Sequence, residues 1–171
     1  NPIEPEMVES APCQEVVLRQ FDLHDLPILL HLPEDGGRYI ASNVVIVNDA
    51  EYGRNMCYHR LLLLDDHHFA ARIIENRGTY NAMQKVAGDL PVAICIGVSQ
   101  AVHLAASMGP PPEVDELAVA NALGLDPVEA RRLTDFGGGG EPLDDVLDLR
   151  RGEGTRRRRA GHGQWHRAGG D

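Results

Sequence analysis

The stretch NMCYHRLLLL, Asn55 to Leu64, decides how this chain is read. An amide, a thiol, a phenol, an imidazole and a guanidinium fall within its first six residues, and four leucines follow. The apolar run, set after the polar turn DAEYGRN, reads as a strand in which Met56 and Cys57 suit a core. On an unbroken strand Asn55 and Arg60, five apart, point to opposite faces. Strand formation alone gives no reason for so many polar groups.

The flanking segments supply more strands. CQEVVLRQF (13–21) and RYIASNVVIVN (38–48) read as two before it, and DDHHFAARII (65–74) as a turn and one after it. Between the first two, Pro27, Pro33 and the EDGG turn exclude a helix. Closely spaced strands with short turns predict a mainly antiparallel sheet or small barrel. The pattern then changes. TYNAMQKVAG (79–88) reads as a helix stopped by Gly88, and LPVAICIG (90–97) as a buried strand. SQAVHLAASM (99–108) reads as a helix capped by Ser99, EVDELAVANAL (113–123) as another, and DPVEARRL (126–133) as a third. In the last, Asp126 is the cap, Pro127 the first helical residue, and Glu129 reaches back.

Past Thr134 the chain changes character. Ten of its 18 glycines lie at or beyond Gly137, and residues 150–171 carry seven arginines and two acids. This divides the chain into a domain over 1–133 and a Gly/Arg-rich tail over 134–171, with disorder predicted for 150–171. The 171 residues carry a net charge of −10, and the first 149 carry 9 basic and 24 acidic side chains. So acidic a body argues against a nucleic-acid partner. No apolar run reaches the roughly 18 residues of a membrane span. Cys13, Cys57 and Cys95 form no paired framework, which predicts a reducing, cytoplasmic setting.

Chemistry concentrates around three arginines and a glycine turn. Arg60, Arg72 and Arg77, with Gly78 in the turn NRG, have the guanidinium forks and bare backbone of an anion site. Surface arginines in water fit the same spacing. Glu116 at the start of a helix reads equally as a favourable dipole contact. His67 and His68, beside Asp65 and Asp66, read as a solvated turn rather than a metal site, and His24, His31 and His103 as isolated.

The order of LPILLHLPEDGGRYI, NMCYHRLLLL, RIIENRG, LPVAICIGVSQAVHLAAS and DELAVANALGLDPVE resembles the UbiD family of decarboxylases, related to 3-octaprenyl-4-hydroxybenzoate carboxy-lyase, over residues 1–133. The resemblance implies an α+β fold, a split β-barrel flavin-binding domain with flanking helices. It implies prenylated flavin mononucleotide (FMN) as cofactor, with manganese or magnesium and often potassium at its phosphate, and a flavin prenyltransferase as the cofactor's supplier. The implied reaction is decarboxylation or carboxylation of a small aromatic or α,β-unsaturated carboxylic acid, in a homo-oligomeric enzyme. By position, Asn55 and Glu116 would ligate the metal. Tyr58, His59 and Arg60 would touch the cofactor, with Arg60 the active-site arginine beside the substrate carboxylate. Arg72, Ile73 and Ile74 would form a second cofactor-contacting run, and Arg77 and Gly78 would lie near the phosphate. An oxygen-rich Asn/Glu set suits a hard cation.

The sequence departs from the family at Asn76, where many members have histidine, at Ala41 in place of threonine, and at Ser99–Gln100 in place of His-Pro or Asp-Pro. It also lacks the family's later acidic catalytic residue. The expectation is therefore a cofactor-binding fragment without its proton donor and without decarboxylase activity of its own. A non-catalytic flavin or phosphate-binding module of similar shape is the alternative.

Overall fold

The computed structural model describes residues 1–7 and 15–124, and the backbone of Glu129–Ala130. Cys13, the cap at Asp126 and the Gly/Arg-rich tail lie outside the described residues. The fold is α+β and mainly antiparallel. The expected split barrel takes the form of two three-stranded sheets and three helices, and no barrel closes among the described residues.

The first sheet has the order β4-β3-β7, with β3 (Asn43–Asp49) in the middle, β4 (Gly53–Cys57) on one edge and β7 (Val92–Ile96) on the other. Both pairings are antiparallel, so Val45 lies opposite Cys57 on one side and Ile94 on the other. Strand alternation sorts β3 into two faces. Val44 faces Met56, Ala101, Ala105, Leu117 and Ala120 from α2 (Gln100–Met108) and α3 (Glu116–Ala122). Val45 and Val47 face Ala82 of α1 (Gly78–Gln84), with Leu90 and Val92. The sheet is thus covered on both faces, and the buried central strand is β3. β7, expected to be buried, is an edge whose last residue, Ile96, is exposed. Its apolar run is explained by partial burial against both neighbouring clusters, not by a central position.

The second sheet has the order β2-β5-β6, from Tyr39–Ile40, Leu61–Leu63 and Phe69–Ala71. Ile40, Leu61 and Phe69 pack with Leu23 and Ile28, and Ile94 of the first sheet joins this cluster as well. A parallel two-residue pairing of β1 (Glu6–Met7) with β8 (Glu129–Ala130) completes the strands.

Several expected elements are divided or displaced. The strand read through 55–64 is two strands in different sheets, β4 and β5, joined by an irregular crossover of Tyr58, His59 and Arg60. The strand read through 38–48 breaks at Ala41–Ser42 for the same reason, passing from the second sheet to the first. Residues 15–21 are not a strand, and a short 3-10 helix at Leu23–Asp25 follows them. The strand after the DDHH turn stops at Ala71, before Arg72. Glu129–Ala130, expected in a helix, pairs with β1 instead, so strand pairing prevails there over the capping pattern. The helix at α2 is as expected, with the Ser99 hydroxyl accepting from the Val102 N–H at 3.4 Å.

Met56 is the largest side chain buried between the first sheet and its two helices, at 2 % exposure. Met56→Ala should lower unfolding stability by about 2–5 kcal/mol, measured by denaturant titration, because neither helix can collapse into the space without leaving β3.

Candidate functional site

β4 is an edge strand, and an edge offers unpaired backbone groups. The Met56 N–H points away from β3 and donates to Glu116 Oε2 at 3.1 Å. Glu116 Oε1 accepts from Asn55 Nδ2 at 2.9 Å. The carboxylate therefore occupies the place of a neighbouring strand. It is only 3 % exposed. Burial raises its pKa above the usual carboxylate range, opposed by the Met56 N–H.

α3 is held against this edge by the preceding residue. Asp115 caps the helix, accepting from the Leu117 N–H at 2.8 Å. It also takes both Nε and Nη2 of Arg54, the residue before Asn55 on β4. Two adjacent acids, Asp115 at the N-cap and Glu116 at the start of α3, thus grip three consecutive residues of β4, Arg54, Asn55 and Met56.

Asn55 projects onto the α1 face of the sheet. Its amide lies over Gly78, the first residue of α1. A Cβ there would stand 2.2 Å from Asn55 Oδ1, so only glycine permits the approach. Asn55 Oδ1 is buried and has no hydrogen-bond partner among the described residues. Arg77 is the N-cap of α1 without a side-chain cap bond, and Asn76 before it takes φ 61°, a left-handed turn that asparagine tolerates. Asn76 and Arg77 are both exposed. Asn55, Glu116 and Gly78, far apart in sequence, therefore meet at one corner.

The crossover after β4 sends its three side chains in three directions. The Tyr58 hydroxyl meets Nδ1 of His103 on α2 at 2.6 Å, and the two rings stack. His59 turns inward. Its Nδ1 lies 3.1 Å from the Arg72 carbonyl and its Nε2 2.9 Å from the Thr79 hydroxyl. Arg60 and Arg72, both exposed, line a shallow groove with Tyr39, Leu62 and Ala70. Neither guanidinium has a carboxylate partner among the described residues. Ile73 is half-buried and Ile74 exposed.

Sequence reasoning missed the partners that hold these groups: Arg54, Asp115, Thr79, His103 and the Met56 N–H. Only Asp115, directly before a helical run, carried a sequence signal. Cys57 is more than core packing, since its Sγ lies 3.1 Å from both His59 Nε2 and Thr79 Oγ1. His24 and His103, expected to be isolated, are not. Besides the Tyr58–His103 contact, His24 and its neighbour Asp22 approach Asp66, their ligand atoms lying within 4.8 Å of one another. His68 pairs with Asp65 in an exposed turn, as read.

A carboxyl whose pKa is raised by folding favours the folded state below its unfolded pKa and loses that contribution as pH rises through the folded value. Glu116→Gln should therefore raise Tm at neutral pH in metal-free buffer, the gain shrinking as pH falls toward 4, followed by thermal unfolding across pH.

A family model described as the 3-octaprenyl-4-hydroxybenzoate carboxy-lyase Rift-related domain matches residues 6–136. An anhydromevalonate phosphate decarboxylase of Methanothermobacter thermautotrophicus is 40 % identical over 104 residues, covering 58 % of this chain and 24 % of the relative. Among solved structures, the UbiD-class enzyme HmfF of Pelotomaculum thermopropionicum, in an evolved dimeric form with prFMN, superposes with a TM-score of 0.72. It is 34 % identical and is matched over 77 % of this chain and 33 % of its own. The 3,4-dihydroxybenzoic acid decarboxylase of Klebsiella pneumoniae superposes at 0.67, with 28 % identity over 86 % of this chain and 32 % of its own. The chain thus spans about a quarter of that curated relative and about a third of these solved structures. With its motifs, its fold and this matched span in agreement, the chain belongs to the UbiD family.

Proposed function

We propose that this chain supplies the cofactor-binding portion of a decarboxylase that uses prenylated FMN to remove or add carbon dioxide on an aromatic or α,β-unsaturated carboxylic acid. The observation that carries this reading is the corner where Asn55 Oδ1 is buried without a partner beside the Glu116 carboxylate. A buried polar atom left unpaired in the protein fits a ligand. Turning the Asn55 amide over would present Oδ1 instead of Nδ2 toward the carboxylate, giving two oxygen donors for manganese or magnesium. The cation would also remove the penalty that burial places on the charged form of Glu116. The fit is therefore favourable to both residues.

Around that ion, Arg77 and the bare backbone at Gly78 would receive the cofactor phosphate, with potassium as a second cation there. Tyr58, the backbone of His59 and the run Arg72–Ile74 would border the flavin. Arg60 would hold the substrate carboxylate by a charge-assisted pair of hydrogen bonds and orient it for loss of carbon dioxide. Prenylated FMN, when bound, supplies the electron sink for the bond that breaks. The solved relatives support the flavin assignment, since HmfF is described in complex with prFMN and with FMN. For the substrate, the named relatives span an aromatic dihydroxybenzoate and anhydromevalonate phosphate. A flavin prenyltransferase would supply the cofactor, and the assembled enzyme would be a homo-oligomer. Among the described residues no helix is long and apolar enough to cross a membrane.

The test is a titration of FMN into the chain with and without manganese, read by quenching of flavin fluorescence. Manganese should tighten binding by about tenfold or more, and Asn55→Ala or Glu116→Ala should abolish the difference. Gly78→Ala should do the same with the fold intact by circular dichroism, because its methyl displaces the Asn55 amide. Binding that ignores manganese would refute the metal corner and favour a plain flavin-binding module.

A further inference from the structure

We propose that His59 is a positioning residue. Its buried imidazole, fixed between the Arg72 carbonyl and the Thr79 hydroxyl, sets where the Arg60–Arg72 groove stands relative to the Asn55 corner. This rests on the preceding reading only in treating groove and corner as one site.

The geometry fixes the protons. A carbonyl oxygen can only accept, so the Nδ1 that lies 3.1 Å from the Arg72 oxygen must carry hydrogen. In a neutral ring Nε2 then has only a lone pair and must accept. The Thr79 hydroxyl, the stronger donor and the nearer at 2.9 Å, donates to it. The Cys57 thiol lies 3.1 Å from both that nitrogen and the Thr79 oxygen, and can donate to either. The result is a hydrogen-bonded cluster of Cys57, Thr79 and His59 that ends on the Arg72 carbonyl. Each member comes from a different part of the fold: β4, α1, the crossover, and the segment after β6. His59 is 8 % exposed and Thr79 2 %, so water does not compete for these bonds. Burial also holds the His59 pKa below its usual value, in keeping with a neutral ring.

This cluster reaches both halves of the site. Thr79 follows Gly78, on which Asn55 rests. The Arg72 N–H lies 3.5 Å from the Arg60 carbonyl, so the backbone that His59 holds also carries the second arginine of the groove. A ring that merely filled space would not join both. The side chain therefore acts from beneath the site, by hydrogen bonds to its supports, and leaves the ligand surface to its neighbours.

Three measurements on the same chain test this. Nitrogen-15 NMR of the ligand-free protein should show His59 neutral with hydrogen on Nδ1 at pH 7; hydrogen on Nε2, or a charged ring, would overturn the proposal. His59→Asn keeps a donor near the place of Nδ1, whereas His59→Gln reaches toward Thr79 and abandons the Arg72 carbonyl. The Arg60 and Arg72 backbone amide shifts should stay near wild type in the first and move in the second. With manganese present, FMN affinity should fall by no more than about threefold in the first and by about tenfold or more in the second, the loss of roughly one buried hydrogen bond. Should a His59 variant fail to fold, Thr79→Val and Thr79→Ser ask the same question, the serine retaining affinity and the valine losing it. Equal affinity across folded variants would mean that His59 only stabilises the fold. If the wild-type chain binds no FMN, the flavin reading fails, while the tautomer and the amide shifts still decide the role of His59.

Discussion

A carboxylate taken out of water must be compensated where it lands, and the placement of Glu116 organises the rest of the corner. Its two oxygens find the Met56 N–H and the Asn55 amide, both on an edge strand that would otherwise face solvent along that side. The acid therefore serves two ends. It closes the edge of β4 against further strand pairing, and it keeps a carboxyl within reach of a buried amide oxygen that has no hydrogen-bond partner among the described residues. A hydrophobic residue at 116 would bury well against Leu117 and its neighbours but would leave the Met56 N–H without an acceptor. Burial raises the pKa of this carboxyl, and a perturbed acid beside an unpaired amide oxygen supports the proposed cation site.

The Arg54–Asp115 pair explains why the acid is where it is. Asp115 caps α3, and the same carboxylate binds the guanidinium one residue before Asn55. Helix capping and strand docking are thus one contact. It sets both the start of α3 and its height along β4, so the following residue can only point at Met56.

Much of this fold could be read from local pattern. The alternation of β3, the Ser99 cap of α2 and the position of α3 follow from periodicity and capping residues, and these are local quantities. What escaped is what depends on distant partners. Apolar alternation reports that a segment can be a strand, but not to which sheet it belongs. NMCYHRLLLL therefore read as one strand, although His59 and Tyr58 are claimed by Arg72 and His103, 13 and 45 residues away. Glu116 read as a helix-start acid because its acceptor role depends on a strand 60 residues earlier. At Glu129–Ala130 a strong local helix signal was overridden by pairing with β1 at the other end of the chain. The site residues carried over from family resemblance became a spatial arrangement only in part: Asn55, Gly78 and Glu116 converge, Arg60 and Arg72 share a groove, and Ile74 lies exposed to solvent.

The crossover at Tyr58–Arg60 has a further consequence for how this sequence can change. β4 and β5 are each locked in register, one to β3 and the other to β2 and β6, in separate sheets. Neither strand can slide to absorb a change in the length between them. Gain or loss of a single residue there would exchange the destinations of the phenol, the imidazole and the guanidinium while both cores remained packed. The two sheets act as fixed jaws, and the number of residues spanning them determines where these three side chains go as much as their identity does.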